Sequence, residues 1–401
     1  MKIAVIGAGM QGLACAFDLA RSEGVGELLL LDQDEERLSA TRARIEAAAG
    51  EAGRTPSITS QVLDVNDGEG LARALAGCQV AVSAVPYFLN VAISRSAIRA
   101  RASFCDMGGN TDVVREELSL DDEAKAAGVS LVPDCGLAPG LGNILVADAF
   151  ASLDKTTEAH IRVGGLPRNP RPPLNYRLVF SAHGLINEYV GEATYLRDGR
   201  RTAVPALTGV ESIEFPPPAG RCEAFVTAGG TSTLPWTFEG KIRDLTYKTV
   251  RYPGHAEMIR SLAACGLFSL DPVSVPTDEG AGHVRIRPRE VTAAALTRAL
   301  GFPGEPDLVV LRVTVKGTRS GSRVTRVYEI LDFMDEIHGI TAMMRTTAFP
   351  VSVVALMLAR GEVTARGALP LELAVPTAPF LSALRTRGIE IKQSEVIEEA
   401  A

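Results

Sequence analysis

Gly7, Gly9 and Gly12 stand in "AVIGAGMQGLA" at the spacing G-x-G-x-x-G, and an acidic residue, Asp32, follows Gly12 by twenty positions. Three such glycines recur by chance in a chain holding 38 of them. The setting gives the pattern weight: it follows the apolar run "KIAVI" and opens the helix-like "MQGLACAFDLARS". The first glycine permits a tight turn, the second lets a pyrophosphate approach the backbone, and the third lets helix and strand pack closely. Phosphates would rest on the helix N-terminus, beside Met10 and Gln11. The chemistry this predicts is dinucleotide binding.

Asp32 ends the run "ELLLLD", where its carboxylate can accept from the adenosine ribose hydroxyls and repel a 2′-phosphate. Gln33 and Asp34 supply no basic replacement, and Arg37 is the nearest cation. NAD is therefore expected ahead of NADP. Asp64 and Val65, ending a third strand-like run at 60–65, are placed to line the adenine. Ser83, Ala84, Val85 and Pro86, after a fourth run, are placed to approach the nicotinamide half. A second chemical stretch is "VPDCGLAPGLGN" (132–143), whose prolines and glycines rule out regular structure and let backbone come close to a ligand. It reads as the floor of an active site and the crossover between domains, with Cys135 as packing and Asp134 as a candidate for orienting the substrate.

These residues need a frame. Six short apolar runs (2–7, 27–32, 60–65, 79–85, 103–108 and 129–134) alternate with helical patterns, which predicts an α/β, Rossmann-type doubly wound parallel sheet. From about residue 157 strand-like runs, "YRLVFS" among them, follow one another between turn signals, with helices at 254–265 and 289–300. That predicts an α+β domain with a mostly antiparallel sheet. The apolar segment 341–363, with Pro350 kinking or restarting it, reads as a buried helix returning to the first domain. The expected division is a dinucleotide-binding domain over 1–140, completed by 340–401, and a catalytic and dimerisation domain over 141–339.

The 401 residues suffice for two or three domain-sized units, with 46% hydrophobic and 22% charged residues. A formal net charge of −7 offers no basic footprint for nucleic acid or an anionic membrane, so a small-molecule partner is expected. Six dispersed cysteines without C-x-x-C spacing predict reduced thiols and no metal site. No signal peptide or membrane span is read, and the expected location is cytoplasmic.

Taken together, "GAGMQG", "CDMGGN", "VPDCGLAPGLGN", "EAFVTAGGTSTLP" and "KTVRYPGH" resemble the saccharopine dehydrogenase family, most closely its lysine 6-dehydrogenases. The resemblance implies a split Rossmann domain joined to an α+β domain, homo-oligomerisation, and hydride transfer between a nicotinamide and a carbon bearing nitrogen. For lysine, the ε-carbon would give hydride to NAD, and the imine would hydrolyse to allysine and ammonia. Saccharopine- or carboxyspermidine-type chemistry is the alternative within the class, and a non-catalytic NAD-binding sensor the alternative outside it. Saccharopine reductases tend to carry arginine where this chain has His183, which points away from saccharopine itself.

An amine donates hydride only when neutral, whereas free alkylammonium has a pKa of about 10.4, so a base or a dry pocket is required. Asp106 in "CDMGGN", at a strand's carboxyl end, and His183 in "SAHGLINEY" are the candidate bases, with His255 behind them. Gly108, Thr231, Ser232, Lys248, Arg251 and His255 are the candidates for holding substrate. Lys248 and Arg251 are three apart, so only one of them can face the site from a regular strand.

Overall fold

The computed structural model describes residues 1–277, 282–302 and 304–398. The first domain is built from β1 (Lys2–Ile6), α1 (Met10–Arg21), β2 (Glu27–Asp32), α2 (Glu35–Glu51), β3 (Ser57–Val62), α3 (Gly68–Ala74), β4 (Val80–Ser83), α4 (Asn90–Ala100), β5 (Ser103–Asp106), α5 (Thr111–Leu118), α6 (Asp121–Ala127) and β6 (Ser130–Val132). β1, β2, β4 and β5 are apolar runs buried between helix layers, as a parallel sheet demands. The edge strand β3 is mostly exposed and polar, so it starts at Ser57, three residues before the expected run, and Asp64 and Val65 follow the strand instead of ending it.

After α7 (Leu141–Ala151) come β7 (Lys155–Pro167), α8 (Ala182–Glu188), β8 (Glu192–Arg197), β9 (Arg200–Pro205), β10 (Glu211–Glu214), β11 (Arg221–Phe225), α9 (Leu234–Thr237), β12 (Asp244–Arg251), α10 (His255–Ala264), β13 (Val273–Pro276), β14 (His283–Ile286), α11 (Pro288–Leu300), β15 (Asp307–Arg319) and β16 (Ser322–Phe333). The chain ends with α12 (Ala342–Ala359), β17 (Gly367–Ala368), α13 (Leu371–Ala374), α14 (Thr377–Arg385) and β18 (Lys392–Glu398).

Two large sheets result. The first is parallel throughout, in the order β17-β6-β5-β4-β1-β2-β3, and the order of successive strands reverses between β1 and β4. The second has nine strands among the described residues, seven along the path β10-β11-β12-β7-β15-β16-β18, with β8 pairing β12 and β9 pairing β8. Its pairings are antiparallel except that of β7 with β12. The segment after residue 340 divides between the sheets: β17 extends the first, whereas β18 pairs with β16 of the second, which corrects the expectation that all of 340–401 returns to the first domain.

α12 runs unbroken through Pro350 and is buried on nearly every face against α1, β4, β5 and β15. Among the described residues it alone has the length and hydropathy of a membrane span, and most of it lies inside the protein. "YRLVFS" is not a strand: Leu178 N–H donates to Leu300 O at the end of α11, and the segment crosses irregularly beside Gly165 of β7. Gly165 leaves room for it, since a Cβ there would strike Met343 and lie 3.2 Å from Val179, whereas Gly164 lets Val250 of β12 come close.

Candidate active site

The glycine loop follows β1 at the point where the strand order reverses, the place where open sheets bind ligands. Gly7 has φ 100°, and a Cβ there would lie 2.9 Å from Ala84 O, so the turns after β1 and β4 touch. A Cβ on Gly12 would lie 1.7 Å from Gly7 O, whereas one on Gly9 would meet nothing within 4 Å. Space is thus kept open at the one glycine where a pyrophosphate must approach. Gln11 Oε1 is buried beside it without a partner. Asp32 braces this loop, with Oδ2 accepting from Ala8 N–H at 2.7 Å and Oδ1 from Asp34 N–H at 3.0 Å. Arg37 stands 3.9 Å from Asp32 and 3.4 Å from Asp34. The cradle fits a dinucleotide.

Across the switch point, Ser83 is buried, its hydroxyl donating to Asn90 at 2.7 Å, and Ala84, Val85 and Pro86 form the lip after β4. Met10 is half-exposed at the start of α1. Asp64 is exposed and accepts from Asn66 N–H at 2.9 Å, beside the partly buried Val65.

Below the lip lies a buried acidic floor. Asp106, at the end of β5, is fully buried, and its Oδ1 accepts from Gly108 N–H at 2.6 Å and Asp134 N–H at 3.2 Å. Burial raises its pKa to about 6 against those two amides, which lower it. Glu117 of α5 is buried against it; burial first, then the charges of Asp106 and Asp134, push its carboxyl up to about 11, so it stays protonated. Ser94 donates to Glu117 Oε1 at 3.1 Å. Asp134 has left-handed backbone (φ 61°), and burial and Asp106 raise its carboxyl too. Its Oδ2 accepts from the Ser232 hydroxyl, which reaches across from the second domain. Gly108 covers Asp134 Oδ1, where a Cβ would sit 1.7 Å away. Cys135 is buried with its thiol against Val132 O at 3.1 Å, and burial pushes that thiol up, as suits a packing residue.

The second domain supplies the facing wall. Asn187 of α8 donates to the Tyr87 hydroxyl at 3.1 Å, and the Tyr87 ring covers Gly109. Glu188 accepts from Arg251 Nη2 at 3.1 Å, and Arg251 is buried with Thr249 and Tyr247 on the inward face of β12. Lys248 projects the other way and pairs with Glu211 at 2.6 Å, so of the two basic residues only Arg251 belongs to this wall.

Three further candidates are corrected by their surroundings. His183 is exposed at the start of α8, 3.5 Å from Glu290, and is not in the buried floor. His255 is fully buried, accepting from the Tyr189 hydroxyl at Nε2 and donating from Nδ1 to Leu174 O; burial, then Arg251, lowers it to about 3, which leaves it neutral and unsuited to act as a base. The Thr231 hydroxyl donates to Thr194 O at 2.9 Å and holds its own loop. Sequence reasoning did not single out Tyr87, Glu117, Asn187 or Glu188. Glu188 lies within "SAHGLINEY" and was within reach of that motif, whereas nothing in "VREEL" marks Glu117 as buried.

A family model described as the saccharopine dehydrogenase NADP binding domain matches residues 3–132, and one described as the saccharopine dehydrogenase C-terminal domain matches 136–389. The seam between them falls inside the floor loop. A saccharopine dehydrogenase (NADP(+), L-glutamate-forming) of Pyricularia oryzae is 23% identical over 402 residues, covering 83% of this chain and 88% of that protein. The mitochondrial alpha-aminoadipic semialdehyde synthase of Bos taurus is 23% identical over 389 residues, covering 80% of this chain but 41% of that protein, so the chain spans less than half of that relative. The apo saccharopine dehydrogenase (L-Glu forming) of Saccharomyces cerevisiae shares the fold, with a TM-score of 0.76 over 98% of this chain and 99% of that one at 19% identity.

Proposed function

Because the chain belongs to the saccharopine dehydrogenase family, we propose that it is an oxidoreductase exchanging hydride between a nicotinamide dinucleotide and a carbon bearing nitrogen in an amino acid. The observation that carries this reading is the open glycine cradle at the switch point standing beside a buried acidic floor, with Arg251 in the facing wall. Gly7, Gly9 and Gly12 would hold the pyrophosphate, Asp32 the adenosine ribose, and the lip 83–86 the nicotinamide half. The dinucleotide supplies the hydride acceptor.

The protein's own groups handle charge. Asp106, with its pKa near 6, attracts an incoming ammonium while ionised. Glu117 stays neutral beneath it and keeps a second negative charge out of the floor. The buried wall excludes water, which favours the neutral amine that can release hydride.

The first specific substrate we propose is L-lysine, oxidised at the ε-carbon, with water releasing ammonia from the imine. The names of the Pyricularia and Saccharomyces relatives favour a second reading, a saccharopine-type secondary amine. NADH or NADPH formation with lysine, ornithine, diaminopimelate, saccharopine and polyamines decides between them. Turnover of lysine is expected; turnover of saccharopine without lysine would replace the first reading by the second. On the cofactor, Asp32 favours an unphosphorylated ribose, whereas the Pyricularia relative's name and the description of the matching N-terminal family model carry NADP, and Arg37 is the cation a 2′-phosphate would meet. We propose NAD on the strength of Asp32, and the same assay with both dinucleotides tests it.

A further inference from the structure

Two walls lead away from the nicotinamide lip into the second domain. One runs from Tyr87, over Gly109, through Asn187 and Glu188 to Arg251. The other runs from Gly136 of the floor loop to Thr347, 3.2 Å from a Cβ built there, then to Met343, whose sulfur lies 3.4 Å from the Thr347 hydroxyl, and on to Gly165 and Val179. Both end at the irregular segment 174–180. Arg251 lies with its guanidinium 4.7 Å from the centre of the Tyr176 ring, and the next residue is Arg177.

Four polar atoms there are unmatched. Arg177 is 6% exposed and Arg251 3%, yet Arg177 Nε and Nη1, Arg251 Nε and the Tyr176 hydroxyl are all buried without a hydrogen-bond partner. Buried donors in native proteins almost always find an acceptor, and an uncompensated buried guanidinium is costly. Asp307, the carboxylate that feels Arg177, already accepts from the amides of Ala342 and Met343, while Arg251 gives Nη2 to Glu188 and Nη1 to Val250 O and keeps only Nε free. Both carboxylates are thus engaged, and Arg177 Nε and Nη1 with Arg251 Nε still want an acceptor, for which a planar carboxylate matches guanidinium forks.

We infer that Arg177 and Arg251, with the Tyr176 hydroxyl, form the receptor for the carboxylate of the amino-acid substrate. This rests on the oxidoreductase reading and adds to it: the enzyme selects amino acids over bare amines, and it does so through a pair of arginines of which Arg177 lies in a stretch with no motif.

The test is calorimetric titration of the full chain, saturated with dinucleotide, using L-norleucine, which has the carboxylate but no ε-amine, and cadaverine, which has the amines but no carboxylate. Norleucine is expected to bind, and cadaverine at least tenfold more weakly than lysine. Arg177→Met should weaken norleucine at least tenfold while dinucleotide affinity, read by its fluorescence, stays put. Arg177→Lys, which keeps the charge and loses the fork, and Tyr176→Phe, which removes one hydroxyl, should each weaken it severalfold and serve if Arg177→Met does not fold. Norleucine affinity unchanged in these variants, or no binding of norleucine by the parent at millimolar concentration, overturns the receptor. Norleucine binding that depends on Arg177, in a chain that oxidises no amine of the panel, would sink the oxidoreductase reading and leave the receptor standing.

Discussion

Asp134 and Ser232 come from different domains, both hold left-handed backbone (φ 61° and 47°), and they meet where the Ser232 hydroxyl donates to Asp134 Oδ2. Aspartate tolerates that conformation but serine seldom adopts it, and such strain, of order 1–3 kcal/mol, persists where the surroundings over-determine it. Here the two left-handed turns form the joint between floor and wall.

Ser232→Ala should therefore do more than remove one hydrogen bond. Asp134 Oδ1 is already unpartnered and buried, and losing the hydroxyl strands Oδ2 as well. The expected cost is about 1–3 kcal/mol in urea unfolding, with kcat reduced more than dinucleotide affinity. Ser232→Gly loses the same hydroxyl but relieves the left-handed strain, so it should be the more stable of the two variants, by about 0.5–1 kcal/mol. An alanine variant as stable as the glycine one would show that residue 232 is not strained.

Asp106 makes stability depend on pH. Its folded pKa, near 6 through burial, exceeds the ordinary 3.8, so the native state holds the proton more tightly than the unfolded chain. Its contribution is fully present below about pH 4 and is lost as pH rises to about 6, at about 1.4 kcal/mol per pH unit within that window. Asp106→Asn keeps an oxygen for the Gly108 and Asp134 amides and abolishes this slope. The variant should gain stability relative to the parent on going from pH 4 to pH 7, read as the difference between their urea midpoints at each pH. Parallel pH curves for the two proteins would place the titration elsewhere.

Glycine spacing, the acidic residue after β2 and the buried strands were legible because each follows from local sequence: a fixed turn, a strand end, an apolar run. Edge strand β3 slipped by three positions because an edge needs no apolar pattern. The segment 176–181 looks like a strand by composition, yet its amide at Leu178 goes to the end of α11, a partner 122 positions away that no window shows. Glu117 hides in a run that reads as a solvated helix face until α5 docks on α4 and turns Val114 and Glu117 inward. His183 drew attention as a lone histidine beside a motif, but the cleft is reached one turn later, by Asn187 and Glu188. Tertiary packing, not residue type, decides these positions.

Dinucleotide choice turns on Asp32 and Arg37. Asp32→Ala removes the repulsion of a 2′-phosphate together with a brace of the glycine loop, and the second effect weakens both dinucleotides alike. The informative quantity is the ratio of kcat/KM with NADP to that with NAD. It should rise about 10–100-fold in Asp32→Ala, in line with about 1.5–3 kcal/mol for a charged hydrogen bond, and fall in Arg37→Ala. A ratio unmoved by either variant would put ribose recognition on other residues.

Gly9 and Gly12 separate binding from folding. At Gly9 the backbone is extended (φ −72°, ψ −171°) and a Cβ would meet nothing within 4 Å, so Gly9→Ala costs the fold about 1 kcal/mol or less, the price of a poorer helix cap. The same methyl stands where the pyrophosphate must come close, so dinucleotide affinity should fall at least tenfold, on the order of 1.4 kcal/mol or more. At Gly12 the Cβ would lie 1.7 Å from Gly7 O, and Gly12→Ala must push α1 off β1. That variant should lose both stability and affinity. Fluorescence titration with NADH and NADPH beside urea unfolding reads the two effects independently. If Gly9→Ala bound dinucleotide as tightly as the parent, the open space at Gly9 would not be the phosphate cradle, and the ligand would have to enter by another face of the switch point.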